Sequence, residues 1–271
     1  MASGRHRRVD DRRIPWNRWV LLLALVWLVV APITLSPVAP GLGLGGTQPG
    51  HDAGAVGFDI SYPQCPRASL PRGDFGIVGV NHGRPFTDNP CGARLYQWAA
   101  QFGTPSLYLN VAFDTSYAKH VTDSCRSAVP ATVVGSRRRL AWSIGCSESA
   151  YTLARAPGPA LWWWLDVETA NSWGRTAGVN RATIEGAAWF LRTYADRPVG
   201  IYSSDRSWLL VTGFGPWNPS GATADWIGVA LGRTRASAAQ ECGVGFSGMP
   251  VTLVQFYRHG PAGIYDANYA C

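Results

Sequence analysis

The sequence predicts one α/β barrel, irregular in its second half and tied by three disulfides. Three observations predict it. Short β-type runs alternate with helical stretches over about residues 56–271 without an internal linker, which is the pattern of parallel βαβ units in one domain. The first strand runs into an acid, in GFDISYPQ (57–64). An open nucleotide-binding sheet would carry a glycine-rich phosphate loop there, whereas a barrel keeps its chemistry at the C-terminal ends of its strands. Finally, six cysteines, Cys65, Cys91, Cys125, Cys146, Cys242 and Cys271, fall within the same region.

Residues 57–61 read as the first strand. Residues 75–81, FGIVGVN, are the second, a nearly continuous apolar run suited to burial on both faces. A helix is expected over 93–102, where Leu95, Trp98 and Phe102 share one face. The third strand is 106–112. Residues 113–160 are less regular and hold one helix, over about 148–156. ALWWWLDVE (160–168) is the fourth strand, and Asn180 is a suitable N-cap for a helix over 181–194. Strands at 197–204, 224–230 and 251–257 follow, seven in all, with few helical stretches between the later ones.

The net charge of +7 resembles a nucleic-acid footprint, but its placement excludes one. Residues 1–18 hold six arginines against two aspartates, which leaves only +3 over the remaining 253 residues, an ordinary surface. The basic head precedes an uncharged apolar run from Val20 to Leu35, the order of an export signal. This 16-residue run falls just short of the roughly 17–25 residues that span a bilayer, so a cleaved signal peptide and a retained anchor (19–36) both remain open. A Gly/Pro-rich linker is expected over 37–55. The expected location is outside the cell, secreted or held at the outer face of the membrane, with membrane contact only through this segment.

An even cysteine count in an exported chain reads as a disulfide set. Of the fifteen possible pairings, the sequential one (Cys65–Cys91, Cys125–Cys146, Cys242–Cys271) is favoured because each pair clips a local excursion and the last ties down the C-terminus. No C-x-x-C or H-x-x-x-H spacing suggests zinc, and no cofactor is called for.

Asp166 and Glu168 lie two apart on the fourth strand, so a period of two sends both to one face at the barrel mouth. Carboxylates sharing a poorly solvated site repel, and the proton affinity of one rises. An acid kept protonated beside an ionised one is what glycoside cleavage uses. A bare D-x-E also occurs in any solvated loop; the case strengthens because Asp59 ends the first strand and Asp266 follows the last. Tyr62, Gln64, Trp173, Tyr202 and Gln255 fall at or just past strand ends, where aromatics can stack on sugars and amides can bond hydroxyls. Any single aromatic is equally a core residue, as expected for Trp162–Trp164. Arg137–Arg139 is a solvated charge run or a docking point for an anionic wall polymer.

On GFDISYPQ, LWWWLDVE, GIYSS followed by Trp208, DWIGVA and LVQFYRHGPAGIYDANYA, the chain resembles the family 25 glycoside hydrolases (lysozymes), in an actinobacterial-type subgroup. The resemblance spans about residues 56–271. It implies a TIM-like barrel acting as an N-acetylmuramidase on the β-1,4 glycan of peptidoglycan, with Glu168 as general acid. Asp166 would orient or stabilise, assisting the substrate's own acetamido group, and Asp59 and Asp266 would complete the acidic floor. VGVNHG, LYLNVAF and Val254–Gln255 stand where the family tends to have an Arg-containing turn, a Tyr-His-Phe pattern and Trp–Gln, which points to a changed substrate. The expected partner is cell-wall polysaccharide, bound by a monomer. A catalytically silent carbohydrate-binding barrel and a hydrolase of another exported polysaccharide are the alternatives. Retention of all four acids favours turnover.

Overall fold

A computed structural model describes residues 50–228 and 232–271. The expected basic head, export segment and residues 37–49 of the linker lie outside the described residues. Residues 50–55, called linker, pack on the barrel instead: His51 stacks flat on Phe75 with ring centroids 3.7 Å apart, and the Gly54 N–H donates to the Ala270 carbonyl at 2.9 Å.

Eight strands close a barrel in sequence order: β1 (Val56–Ile60), β2 (Gly76–Gly79), β3 (Ser106–Asn110), β4 (Trp163–Asp166), β5 (Val199–Ser203), β6 (Ala222–Ile227), β7 (Val251–Gly260) and β8 (Gly263–Ala270). Strands β1 to β7 pair in parallel. The eighth strand, absent from the sequence reading, runs antiparallel to both β7 and β1. Asp266 therefore lies within a strand, not after the last one. β8 follows β7 through the tight Gly260–Gly263 hairpin, so no helix marks the boundary and one long run conceals two strands.

Alternate residues fill the barrel. Ile77, Tyr108, Trp164, Trp226, Leu253 and Ala270 form one cluster, packed as layers from alternate strands. Small residues make room for large ones: a Cβ on Gly200 would lie 2.1 Å from the Trp164 ring, and one on Gly79 2.6 Å from the Tyr108 ring. The opposite parity, including Leu107, Leu109, Trp163, Leu165, Val199 and Ile201, packs outward against Leu95, Ile184, Ala187 and Leu191 on the helices.

Six α-helices lie among the described residues: α1 (Gly92–Ala99), α2 (Asp123–Ser127), α3 (Ser136–Leu153), α4 (Ala177–Tyr194), α5 (Asp205–Thr212) and α6 (Arg235–Ala239). The expected 148–156 helix is the C-terminal part of α3, which starts at Ser136. Residues 141–149 of α3 are buried without a break, so the helix has no polar stripe to betray its period. It crosses α4 at glycines: a Cβ on Gly145 would fall 1.8 Å from the Thr183 carbonyl, and one on Gly186 2.1 Å from that of Trp142. The cap of α4 is Thr176, not Asn180. Asn180 sits inside the helix and bonds to Gly174 and to the Val211 carbonyl. The second half of the barrel holds α5 and α6, which the sequence reading lacked, and its irregularity is visible as register shifts at Val199/Gly200 and Asp225/Trp226. The disulfides are Cys65–Cys91, Cys125–Cys146 and Cys242–Cys271.

Candidate active site

Period-two alternation carries polar residues to one layer at the C-terminal end of the barrel. Asp59 on β1 stands opposite Asp266 on β8, Asn110 on β3 opposite Asp166 on β4, and Gln255 on β7 opposite Asn268 on β8. Tyr202 on β5 pairs with Asp166. Glu168 lies two residues past the end of β4. The four acids converge: Asp59 feels the charge of Asp266, Asp166 those of Glu168 and Asp59, and Glu168 that of Asp266.

Each acid has its own surroundings. Asp59 is buried, and one oxygen, Oδ1, accepts from Gln255 Nε2 at 2.9 Å and from Asn268 Nδ2 at 2.7 Å. The Trp226 indole N–H fixes that asparagine by donating to its Oδ1 at 2.8 Å. Burial, reinforced by Asp266, pushes Asp59 up to about 8 despite these two donors. With both amides on Oδ1, the proton belongs on Oδ2. Asp166 is also buried and held well above the usual carboxylate range, first by burial and then by Glu168 and Asp59. Its Oδ2 accepts from Asn110 Nδ2 at 2.5 Å, while its Oδ1 takes no hydrogen bond from the described protein groups. Glu168 is half-buried; burial and Asp266 raise it, and Tyr202 favours its charged form. Asp266 is raised by burial, an effect that Arg67 opposes.

The remaining sequence candidates are placed as follows. Tyr202 stands in the acidic layer, its ring edge-on to Trp226 and its hydroxyl donating to Gln255 Oε1 at 3.0 Å. Gln255 is buried and bonds Asp59 and Tyr202, so it orients acids and is turned away from open solvent. Gln64 caps its own turn, its Oε1 accepting from the Ser61 N–H at 2.8 Å. Trp173 donates from its indole to the Glu168 carbonyl at 2.7 Å and so fixes the chain past β4. Tyr62 lies half-buried in the turn after β1, edge-on to His82 at 4.1 Å.

Asn81, Asn110, Asn268 and Trp226 were not among the candidates. Asn81 exchanges hydrogen bonds with the Asn110 main chain at 3.1 and 3.3 Å and thereby seats the donor to Asp166. Asn110 and Asn268 could have been found as polar residues in register with Tyr108 and Asp266, on the inward face of strands that are otherwise apolar. Among the described residues, no group of three His, Cys, Asp or Glu is arranged to hold a metal ion.

No protein-family profile matches the sequence, and no curated protein is similar to it in sequence. Solved structures are similar in fold. A bacterial lysozyme from Streptomyces coelicolor superposes with a TM-score of 0.52 at 16% identity, covering 81% of this chain and 93% of that one. A family 25 glycosyl hydrolase from Bacillus anthracis gives 0.51 at 12% identity, over 79% and 88%. A family GH25 lysozyme from Aspergillus fumigatus gives 0.51 at 12%, over 80% and 93%. Identities this low speak to architecture, and the architecture is specific: the chain has the barrel fold of the family 25 lysozymes, with four acids at its mouth.

Proposed function

We propose that this chain is a glycoside hydrolase that cleaves the β-1,4 glycan of peptidoglycan. One observation carries the reading: four carboxyl groups from β1, β4 and β8 meet at the C-terminal mouth of a barrel whose structural neighbours are lysozymes. Glu168 is the general acid. Glu168 and Asp266 are the two partly exposed acids of the set; Arg67 favours the charged form of Asp266, whereas the proton affinity of Glu168 is raised by burial and by Asp266, and a protonated carboxyl is what a leaving glycosidic oxygen needs. Asp166 serves as the orienting acid: Asn110 clamps its Oδ2, and the buried carboxyl stands beside Glu168 and raises with it the proton affinity of the pair. Asp59 and Asp266 complete the acidic floor. Export is part of the same proposal, since three disulfides persist in an oxidising compartment.

The test is clearing of purified peptidoglycan by the wild-type chain and by Glu168→Gln. Clearing by the wild type, with a loss of roughly a hundredfold or more in the variant, supports the reading. Equal clearing by both sinks the assignment of Glu168. Binding of wall glycan without any clearing identifies a silent carbohydrate-binding barrel instead, and release of products only from other glycans moves the substrate elsewhere.

A further inference from the structure

One hydroxyl lies between the acid and the floor of the site. Tyr202 donates to Gln255 Oε1 at 3.0 Å, and the other end of that amide donates to Asp59 Oδ1 at 2.9 Å. The same tyrosine pairs with Asp166 and accepts at its carbonyl from the Val167 N–H at 2.9 Å, which sets it beside the chain that leads to Glu168, and it favours the charged form of that glutamate. A phenol has one proton to give. While it is given to Gln255, the phenol oxygen can serve Glu168 only as an acceptor, and a carboxyl can donate to it only when protonated. When Glu168 ionises, two acceptors, the carboxylate and Gln255 Oε1, face one hydroxyl.

We propose that Tyr202 is a positioning residue whose hydroxyl turns between Gln255 and Glu168, accepting from the glutamic acid before proton transfer and donating to the glutamate after it. No proton passes through the tyrosine. The Glu168 proton goes to the leaving oxygen, the glycosidic bond breaks, and the Tyr202 O–H rotates about its own C–O bond. The arrangement serves both charge states of the acid, which a fixed donor would not: a permanent donor would hold Glu168 ionised and spoil it as an acid. Gln255 sets the balance because Asp59 fixes which end of its amide faces the tyrosine.

The surrounding charges act in the same direction. Burial first, and then Glu168, Asp166 from β4, Asp59 from β1 and Asp266 from β8, oppose ionisation of the phenol. Arg67, which lowers Asp266, is the cation of this group. The hydroxyl therefore remains a neutral rotor. Its ring is held independently, edge-on to Trp226 at 4.5 Å, so removing the oxygen leaves the packing in place.

This inference rests on the reading of Glu168 as the acid, and its test reads no turnover. The chain has four glutamates, Glu148, Glu168, Glu185 and Glu241, so carboxyl-labelled glutamate gives a resolvable carbon NMR titration, with Glu168→Gln assigning the signal. In Tyr202→Phe the glutamate loses its donor, and the Glu168 midpoint should rise by about one pH unit, a tenfold change in proton affinity. In Gln255→Met the hydroxyl has no competing acceptor on that side chain, and the midpoint should fall by a similar amount. Shifts of opposite sign support the proposal. Shifts of the same sign, or none, overturn it, because a merely structural role would not separate the two variants. A wild-type chain that leaves peptidoglycan intact would sink the hydrolase reading without touching this result.

Discussion

Asp59 and Asp266 stand directly opposite one another across the antiparallel seam of β1 and β8, which brings two side chains within about 5 Å at Cβ. Like charges so placed are unfavourable, and here one of the pair is also buried. The fold meets the conflict by keeping Asp59 protonated, with a midpoint pushed up to about 8.

That shift predicts how stability depends on pH. The folded midpoint of Asp59 lies above its ordinary value of 3.8. Below about pH 4 both states are protonated and its contribution is fully present. Between about 4 and 8 the unfolded chain ionises while the fold resists, so stability falls as pH rises and levels off above about 8. Asp59→Asn removes the titration and keeps an oxygen for Gln255 and Asn268. Its melting temperature should match the wild type near pH 4 and exceed it by on the order of 10 °C at pH 8, at about 1.4 kcal/mol per unit of midpoint and 2–4 °C per kcal/mol for a chain of this size. A difference that stays constant across the range refutes the assignment.

Asn110 should matter to turnover more than to folding. It is the donor to Asp166 Oδ2, and Asn81 holds its backbone. Asn110→Ala removes the clamp and leaves a buried carboxyl with fewer partners. Loss of a hydrogen bond to such a group is worth roughly 1.5–3 kcal/mol. Clearing of peptidoglycan should therefore drop by about ten- to a hundredfold, with glycan binding kept. If kcat is unchanged and only KM rises, Asn110 contacts substrate and does not position Asp166.

Much of this site was legible because strand period and burial act locally. Asp59, Asp166 and Glu168 each end an apolar run, and the polar end of an inward-facing strand row has nowhere to point but the barrel mouth. Asp266 was legible as an acid, though not as part of a strand. Its strand lies inside a 20-residue stretch whose hairpin turn, Gly260–Gly263, is only four residues long, so its Gly-Pro-Ala-Gly signal is easily taken for the end of the last strand. The N-terminal half of α3 left no trace for the opposite reason. Ahead of the expected 148–156 stretch, Ser143, Gly145 and Ser147 are buried, Gly145 against Thr183 of α4 and Ser147 against Thr122, and small polar residues under other elements do not read as a core. Asn180 looked like a cap because asparagine favours caps; tertiary bonds to Gly174 and Val211 placed it one turn further in.

The α3–α4 crossing gives a sharp stability prediction. Gly186→Ala would put a methyl 2.1 Å from the Trp142 carbonyl, a backbone atom that cannot swing aside. The helices must separate, and overpacking of this kind costs about 1–3 kcal/mol or more. Gly103→Ala is the control for a glycine with open space around its Cβ, though its positive φ of 111° carries its own cost. Thermal melting should show the larger loss at Gly186 even though alanine is the better helix former. The reverse order would mean that the two helices have slack at their crossing.

The Cys242–Cys271 bridge should protect the site through β8. It closes a loop of 29 residues, and the Cys271 N–H bonds to the Thr252 carbonyl on β7 at 2.9 Å. β8 carries both Asp266 and Asn268 and is the antiparallel stave that completes the barrel. In the chain-entropy view the bridge contributes about 3–4 kcal/mol. Replacing both cysteines with alanine should lower the melting temperature by roughly 10 °C at the usual sensitivity for this size. Hydrogen exchange should quicken first in β8 and at its pairing with β1, while β3 and β4 keep their protection. Removing Cys125–Cys146, which ties α2 to α3 and not to β8, should cost comparable stability but leave β8 exchange as it was. Loss of β8 protection in both variants would show that the barrel opens as one unit, and that the closing strand has no separate dependence on its own bridge.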